Sequence, residues 1–252
     1  MFRPLPAVLA AATLTAITLS APAQAFDVSA MTDSERDAFR SEIRAYLLEN
    51  PEVLMEAIGV LEARRQDEQL AADVNLVADN HAAIFEDGRS WVGGNPDGDL
   101  TLVEFMDYRC GYCKKAYPEV DSLLETDGNI RFIVKEFPIL GEQSLLASRF
   151  AISVRNNAGS DAYAEAHDAL MTFRGDITED SLAALAGRLG LDAQKIMDGM
   201  YSAEVENELS DNHALAAKLG INGTPGFIFE DQLVRGYVPY DSMVQIIEQL
   251  RS

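Results

Sequence analysis

Apolar positions in the first third of the chain follow a helical pattern. The first helical run starts behind a capping box formed by Thr32 and Glu35. A second run follows Pro51 and continues to about Phe85, but the polar residues 64–69 interrupt its apolar stripe. A helix of this length has no core of its own, so its stripe must be buried against something else. We expect burial against a second copy of the chain; folding back on its own domain is the alternative.

From residue 89 onward the pattern changes to strands and helices. Short apolar runs predict strands at residues 90–92, 100–106, 130–137, 226–229 and 232–236. A strand, a helix and a strand in this order form a right-handed parallel unit. We therefore predict an α/β domain over residues 89–252, with a helical insertion at about residues 141–219 and a helical segment at residues 26–88 before it.

The first 25 residues have the composition of a secretory signal peptide. Arg3 precedes an uncharged, mostly apolar run at residues 5–19, and residues 23–25 fit the small-x-small cleavage rule. That run is short for a bilayer-spanning helix, which needs about 20 residues. We expect cleavage before Phe26 and export to the periplasm; an uncleaved membrane anchor is the alternative.

The charge of the chain restricts its partners. The formal net charge is −21 at pH 7. Nucleic acids and anionic lipids repel such a surface, so we expect neither as a partner.

The chain has two cysteines, three positions apart in Cys110-Gly111-Tyr112-Cys113. They lie between a predicted strand and a predicted helix, where free backbone N–H groups and the helix dipole stabilise a thiolate. One closely spaced pair constrains little chain, so it suits catalysis better than a structural cross-link. We predict that Cys110 is the nucleophile of thiol–disulfide exchange and Cys113 the resolving thiol. Gly111 frees the backbone, and Tyr112 offers an aromatic surface to a substrate peptide.

Half of a metal site is the competing explanation for this cysteine pair. Structural zinc takes four ligands, and the three histidines, His81, His167 and His213, are not spaced as a pair. We therefore expect no metal site and no cofactor other than the redox-active pair itself. A Cu(I) carrier that uses the two thiolates is the alternative.

Two charged residues in neighbouring predicted strands are candidates to support the cysteines. Glu104 lies in the apolar strand before the pair, and a buried carboxyl there would have a raised pKa. It could then exchange the proton of Cys113, with Lys135 as its charge partner. The alternative for both residues is an outward-facing charge at the edge of the sheet.

Thr224-Pro225 is the second motif of the predicted site. Proline at the start of a strand removes a hydrogen-bond donor and can adopt a cis peptide bond. We expect Thr224 to lie beside Cys110, where an extended substrate could pair with its backbone. An ordinary turn before a strand is the alternative.

Three segments together resemble the DsbA-like thioredoxin-fold thiol–disulfide oxidoreductases. They are Phe105–Cys113, Lys135–Gly141 and Gly223–Phe227, and the resemblance covers about residues 90–252. It implies a thioredoxin-like fold with a helical insertion.

The same resemblance assigns roles to four residues. It implies that Cys110 is the nucleophile, Cys113 the resolving thiol, Pro225 the cis proline and Glu104 the buried acid.

The helical segment before the domain is similar to that of the ScsC branch, whose members use it to oligomerise. The resemblance implies a homo-oligomer, protein substrates with cysteines or disulfides, and a membrane reductase of the DsbD or ScsB type as electron donor. The Gly-Tyr dipeptide and the threonine before proline resemble the isomerase DsbC, whereas the dipeptide of the oxidase DsbA is Pro-His. We therefore predict an isomerase or reductase. A net dithiol oxidase, and an interaction protein that acts through its N-terminal helices, are the alternatives.

Overall fold

The structure begins with helices. The computed structural model describes residues 28–252, so the predicted signal peptide at residues 1–25 lies outside the described residues. A short 3-10 turn at Val28–Ala30 precedes three helices, α1 (Asp33–Glu49), α2 (Glu52–Asp79) and α3 (His81–Phe85). No helix within the described range is both long and apolar enough to span a bilayer.

Helix α1 begins at the predicted capping box. The backbone N–H of Thr32 donates to the Glu35 carboxylate at 2.8 Å, and the backbone N–H of Glu35 donates to the Thr32 hydroxyl at 3.3 Å. In the part of the chain that the structure describes, no residue of α1 is buried. Its apolar stripe, represented by Phe39 and Ile43, is therefore exposed in a single chain.

The chain divides into two compact units between Leu61 and Glu62, within α2. This division lies earlier than the predicted domain boundary after residue 88. The second unit includes the end of α2 and all of α3, because Val77 and Ile84 are buried in its core. The predicted helical segment is thus shared between the two units.

The second unit contains one mixed five-stranded sheet. Its strands are β1 (Trp91–Gly94), β2 (Leu100–Met106), β3 (Ile130–Glu136), β4 (Gly226–Phe229) and β5 (Gln232–Arg235), in the order β1-β3-β2-β4-β5. Only β2 and β3 are parallel among these described strands, and the other pairs are antiparallel. The central strand is β2, and the chain continues from its carboxyl end towards the cysteine pair.

Helices cover the sheet. They are α4 (Gly111–Asp127), α5 (Glu142–Ala158), α6 (Ser160–Met171), α7 (Glu179–Arg188), α8 (Ala193–Gly199), α9 (Ala203–Lys218) and α10 (Tyr240–Leu250). Helix α4 connects the two parallel strands, and α5 to α9 follow β3 and precede β4 along the chain. The predicted α/β architecture with a helical insertion is confirmed.

Side chains of β2 alternate between two cores, one on each face of the sheet. Leu102 and Met106 pack in the larger core with residues of α4, α5, α6 and α10. Val103 and Phe105 face the smaller core, which includes residues of α2, α3 and α9. Glu104 occupies an even-numbered position of the strand and therefore points to the same side as Leu102 and Met106.

Candidate active site

The two cysteines occupy the start of α4, directly after the central strand. Cys110 is the N-cap residue, and its carbonyl accepts the first helical hydrogen bond from the Lys114 N–H at 3.0 Å. Both cysteines are free thiols. Cys110 is 7% exposed and Cys113 is fully buried, so Cys110 is the thiol that a substrate can reach first.

The surroundings of Cys110 favour its thiolate. A hydrogen bond from the Cys113 thiol is the largest cause, and it lowers the pKa of Cys110 to about 5 although burial opposes the shift. Thr224 and the backbone N–H groups of Tyr112 and Cys113 contribute further hydrogen bonds. The same hydrogen bond, followed by burial, raises the pKa of the Cys113 thiol. At pH 7 the site therefore holds one thiolate and one thiol.

The structure brings Thr224 beside Cys110. In the protonated form, the Cys110 thiol donates to the Thr224 carbonyl oxygen at 3.2 Å. The Thr224-Pro225 peptide bond is cis, the conformation considered in the sequence analysis. Pro225 immediately precedes β4, and its carbonyl accepts the Gly236 N–H at 3.0 Å. The Thr224 backbone thus lies within hydrogen-bond distance of the nucleophile.

Glu104 lies on the inner side of the cysteine pair. It is 3% exposed, and its Oε1 atom has no hydrogen-bond partner within residues 28–252. Burial, followed by the charge of Cys110, raises the pKa of Glu104 to about 8. The charge of Glu104 in turn contributes to the raised pKa of Cys113, so the two groups are coupled electrostatically. A cavity of about 60 Å³ adjoins Glu104 and is also lined by Tyr117 and His167.

The predicted pairing of Lys135 with Glu104 is wrong. Lys135 is in register with Phe105 on β2, so its side chain points to the opposite face of the sheet. Its ammonium donates to the Asp87 carboxylate at 2.8 Å and to the Ala83 carbonyl at 2.8 Å. Burial alone would raise the pKa of Asp87, but the charge and hydrogen bond of Lys135 lower it to about 2. Lys135 therefore holds the end of α3 to the sheet.

The sequence analysis missed Asp107, which fixes the turn before Cys110. Its carboxylate accepts the Arg109 N–H at 2.7 Å and, from the segment after β3, the N–H groups of Ile139 and Leu140 at 2.8 and 3.0 Å. Three backbone donors satisfy this buried carboxylate. A polar residue directly after an apolar strand was the available signal.

The sequence analysis also missed a buried network around Glu136, at the end of β3. Its carboxylate accepts hydroxyl groups from Tyr108, Ser148 and Tyr163 at 2.8, 2.7 and 2.6 Å. Burial is the largest cause that raises the pKa of Glu136 to about 7, whereas these hydrogen bonds lower it. The network joins the residue two positions before Cys110 to helices α5 and α6. Partners so distant in sequence leave no local pattern.

The rim of the site is aromatic. Tyr112 is 62% exposed, and its ring centroid lies 6.0 Å from that of Tyr237. The Lys115 ammonium lies 4.1 Å from the Tyr237 ring centroid, and the Tyr237 hydroxyl donates to the Glu119 carboxylate at 2.7 Å. Tyr237, which the sequence analysis did not single out, therefore extends the surface that Tyr112 offers beside the cysteines.

His167 is buried and uncharged. Burial lowers its pKa to about 4, and its Nδ1 atom lies 3.0 Å from the Tyr108 hydroxyl. Across the described part of the chain, no three His, Cys, Asp or Glu side chains cluster as a metal site would require.

Family models match the α/β domain and a part of the N-terminal helices. Residues 101–248 match the model of the DSBA-like thioredoxin domain. Residues 35–68 match the model of the copper resistance protein ScsC N-terminal domain.

Solved structures give the same result. A thioredoxin-like oxidoreductase from Silicibacter pomeroyi is 40% identical with a TM-score of 0.64, over 68% of this chain and 98% of that one. ScsC of Proteus mirabilis in a compact conformation is 30% identical with a TM-score of 0.64, over 86% of this chain and 98% of that one. The predicted thioredoxin-like fold with N-terminal helices is therefore confirmed.

Curated relatives include longer proteins. A Na(+)/H(+) antiporter from Salinispora arenicola is 28% identical over 140 residues, which are 55% of this chain and 21% of the antiporter. The chain thus spans about a fifth to a quarter of the length of the first curated relatives that it matches. The DSBA-like model covers more than half of this chain and includes the cysteine pair, Glu104 and the cis proline. The protein therefore belongs to the DsbA-like thioredoxin domain family.

Proposed function

We propose that this protein is an exported thiol–disulfide oxidoreductase that acts on protein disulfides as an isomerase or reductase. One observation carries the proposal: a Cys110 thiolate, with a pKa of about 5, lies beside a buried Cys113 thiol and next to the Thr224 backbone. Thiolates are the species that attack disulfides, and a thiolate that persists at neutral pH stabilises the reduced form of the pair. An isomerase must keep its nucleophile reduced.

The first step forms a mixed disulfide. The Cys110 thiolate attacks one sulfur of a substrate disulfide, a bond forms between Cys110 and that sulfur, and the other substrate sulfur leaves as a thiolate. In isomerisation, a different substrate thiolate attacks the mixed disulfide and releases the Cys110 thiolate unchanged. The backbone of the half-buried Thr224 would pair with the extended substrate during these steps.

Reduction requires Cys113 to lose its proton. The Cys113 thiolate then attacks the Cys110 sulfur, the Cys110–Cys113 disulfide forms, and the substrate leaves as a reduced thiolate. Glu104 is the nearby group suited to receive the proton. The charge of Cys110 is one cause of the raised pKa of Glu104, and that charge disappears in the mixed disulfide. Glu104 therefore becomes a stronger acid at the step that needs its carboxylate, although its burial is unchanged.

The N-terminal helices would assemble several copies. Large apolar side chains of α1 and the first half of α2 are exposed, among them Phe39, Ile43, Tyr46, Leu54 and Ile58. So many exposed apolar side chains on two helices are typical of a protein–protein interface. We infer a homo-oligomer in which several Cys110 sites face one substrate, working in the periplasm with a membrane reductase of the DsbD or ScsB type. The double substitution Ile43→Glu and Ile58→Glu should then yield monomers in light scattering.

A dithiol oxidase is the second candidate, because a stabilised reduced form also makes the oxidised pair a stronger oxidant. The deciding experiment compares refolding of a scrambled-disulfide protein with oxidation of a reduced peptide. Unscrambling of the scrambled protein that is faster than oxidation of the reduced peptide supports the isomerase. Fast oxidation alone identifies an oxidase, and no turnover in either assay rejects the enzyme proposal.

A further inference from the structure

The loop that leads to Thr224 is attached to a single arginine at the end of β5. The Arg235 guanidinium donates to the Leu219 carbonyl at 2.7 Å and to the Gly220 carbonyl at 3.1 Å. It also donates to both carboxylate oxygens of Asp73, at 2.8 Å each. These four hydrogen bonds use the fixed fork geometry that distinguishes arginine from lysine.

Asp73 holds the arginine from α2. The residue is 4% exposed, and the hydrogen bond from Arg235 lowers its pKa although burial opposes the shift. The Gln69 amide donates to the same carboxylate at 3.0 Å. Arg235 itself is exposed, so the sensitive member of the pair is Asp73: without the arginine, its buried carboxylate would have no charge partner.

Packing connects the same elements. Ile221, one residue beyond the Arg235 contacts, is 2% exposed and lies in the smaller core with Val77 of α2. A Cβ atom at Gly226 would lie 2.9 Å from the Ile221 side chain, so the start of β4 fits closely against this residue. Arg235 itself is the β5 partner of Gly226. The loop at residues 219–225 is thus held on the α2 side and on the β5 side.

We propose that Arg235 and Asp73 are positioning residues for thiol–disulfide exchange: they set the position of the loop that presents Thr224 to a substrate peptide. The proposal rests on the proposed function. Thr224 is four residues beyond Gly220, and its carbonyl lies 3.2 Å from the Cys110 sulfur. A displaced loop would misalign the substrate backbone relative to the nucleophile.

The expected defect lies in substrate binding rather than in the acidity of the thiol. The largest cause of the lowered pKa of Cys110 is Cys113, and Thr224 and backbone groups of α4 make smaller contributions. None of these groups contacts Arg235. Substitution of Arg235 should therefore act mainly on KM, whereas the pKa of Cys110 should rise only slightly, through the weakened Thr224 hydrogen bond.

Helix α2 links this contact to the N-terminal helices. The same helix carries Asp73 and continues into residues 52–61, within the segment that matches the ScsC N-terminal model. The helix proposed to assemble the chains therefore also holds the substrate-binding loop.

The test measures Michaelis kinetics for reduction of a fluorogenic peptide disulfide, with dithiothreitol as electron donor, in the full mature protein. We expect a KM increase of roughly 5- to 10-fold for Arg235→Gln and about 3-fold for Asp73→Asn. The double variant should resemble Arg235→Gln, because both substitutions break the same Arg235–Asp73 interaction. The matched control is Arg251→Gln, which removes an arginine paired with Asp99 and Asp127, and its KM should equal that of the wild type.

Hydrogen exchange provides a readout that needs no activity. Backbone amides of residues 219–226 should exchange faster in Arg235→Gln and Asp73→Asn than in the wild type or in Arg251→Gln. If the wild type is active and both variants have its KM, the positioning role is overturned. An equal rise of KM in the control Arg251→Gln would overturn it as well. Absence of wild-type turnover would instead reject the proposed function, and unchanged exchange in the loop would still reject this inference. Asp73→Asn preserves the side-chain shape and supplies the test if Arg235→Gln does not fold.

Discussion

Glu104 and Lys135 are buried ionisable side chains on neighbouring strands, yet their surroundings differ. Lys135 faces the smaller core, where the Asp87 carboxylate and the Ala83 carbonyl satisfy its ammonium. Glu104 faces the cysteines, and its Oε1 atom has no hydrogen-bond partner among the described residues. A buried group with compensating partners contributes to the fold, whereas one without them retains a shifted pKa that chemistry can use. Stability and catalysis should therefore separate between these two residues.

The largest effect should come from Lys135. We expect Lys135→Met to lower the free energy of unfolding by about 3 kcal/mol, because the partly buried Asp87 carboxylate loses its charge partner. Urea unfolding at pH 7 measures this change, and the exposed Lys218→Met is the control. Exchange activity per folded molecule should be unchanged. Equal denaturation midpoints for Lys135→Met and the wild type would contradict the structural role.

The same ion pair fixes the sign of a pH dependence. Asp87 has a pKa of about 2 in the folded protein, against its usual 3.8. Its contribution to stability is therefore fully present above pH 3.8 and is lost as the pH falls towards 2. The stability advantage of the wild type over Lys135→Met should shrink in this acid range.

The next effect is kinetic and belongs to Glu104. We expect Glu104→Gln to slow the release of a peptide from its mixed disulfide with Cys110 by roughly 10²-fold, because the proton of Cys113 loses its acceptor. Stopped-flow detection of the released peptide thiol measures this step. Cys113→Ala, which cannot release the peptide by this route, sets the lower limit. Release at the wild-type rate in Glu104→Gln would remove Glu104 from the mechanism.

Glu104→Gln should at the same time stabilise the protein. The pKa of Glu104 is about 8 when folded and 4.5 in its usual range, so the folded state binds the extra proton between these values. Stability therefore falls as the pH rises through this window, and at pH 7 the penalty is on the order of 3 kcal/mol. The neutral amide removes that penalty. One substitution thus gains stability and loses rate, whereas Lys135→Met loses stability and keeps rate.

The comparison also explains what the sequence could predict. The apolar strand before the cysteine pair left two positions for Glu104, buried or outward-facing, and the structure shows that it is buried. Strand, cysteine pair and helix follow each other as expected. The pairing of Glu104 with Lys135 failed because a shift of one residue in register moves a side chain to the other face of the sheet. Register depends on contacts between strands, which no local pattern records.

Distance along the chain accounts for the residues that were missed. Arg235 and its partner Asp73 are 162 positions apart, so neither residue identifies the other in the sequence. The polar residues 64–69 did carry information, because the chain divides into two units just before them. They were interpreted as a gap in one apolar stripe, although the stripe is exposed before them and partly buried after them.

The smallest predicted effect tests the link between Glu104 and Cys110. Cys110 ionises at a pKa of about 5, so it is already a thiolate when Glu104 titrates near pH 8. Cys110→Ala removes that negative charge and should lower the pKa of Glu104, although burial keeps it above its usual range. Carbon-13 NMR of the labelled Glu104 carboxyl in the reduced protein measures the change. Substitution of Glu104 gives the complementary measurement. Because Glu104 is uncharged at pH 5, Glu104→Gln should leave the pH midpoint of Cys110 alkylation near 5. An unchanged Glu104 midpoint in Cys110→Ala would mean that formation of the mixed disulfide cannot prepare Glu104 to accept the Cys113 proton.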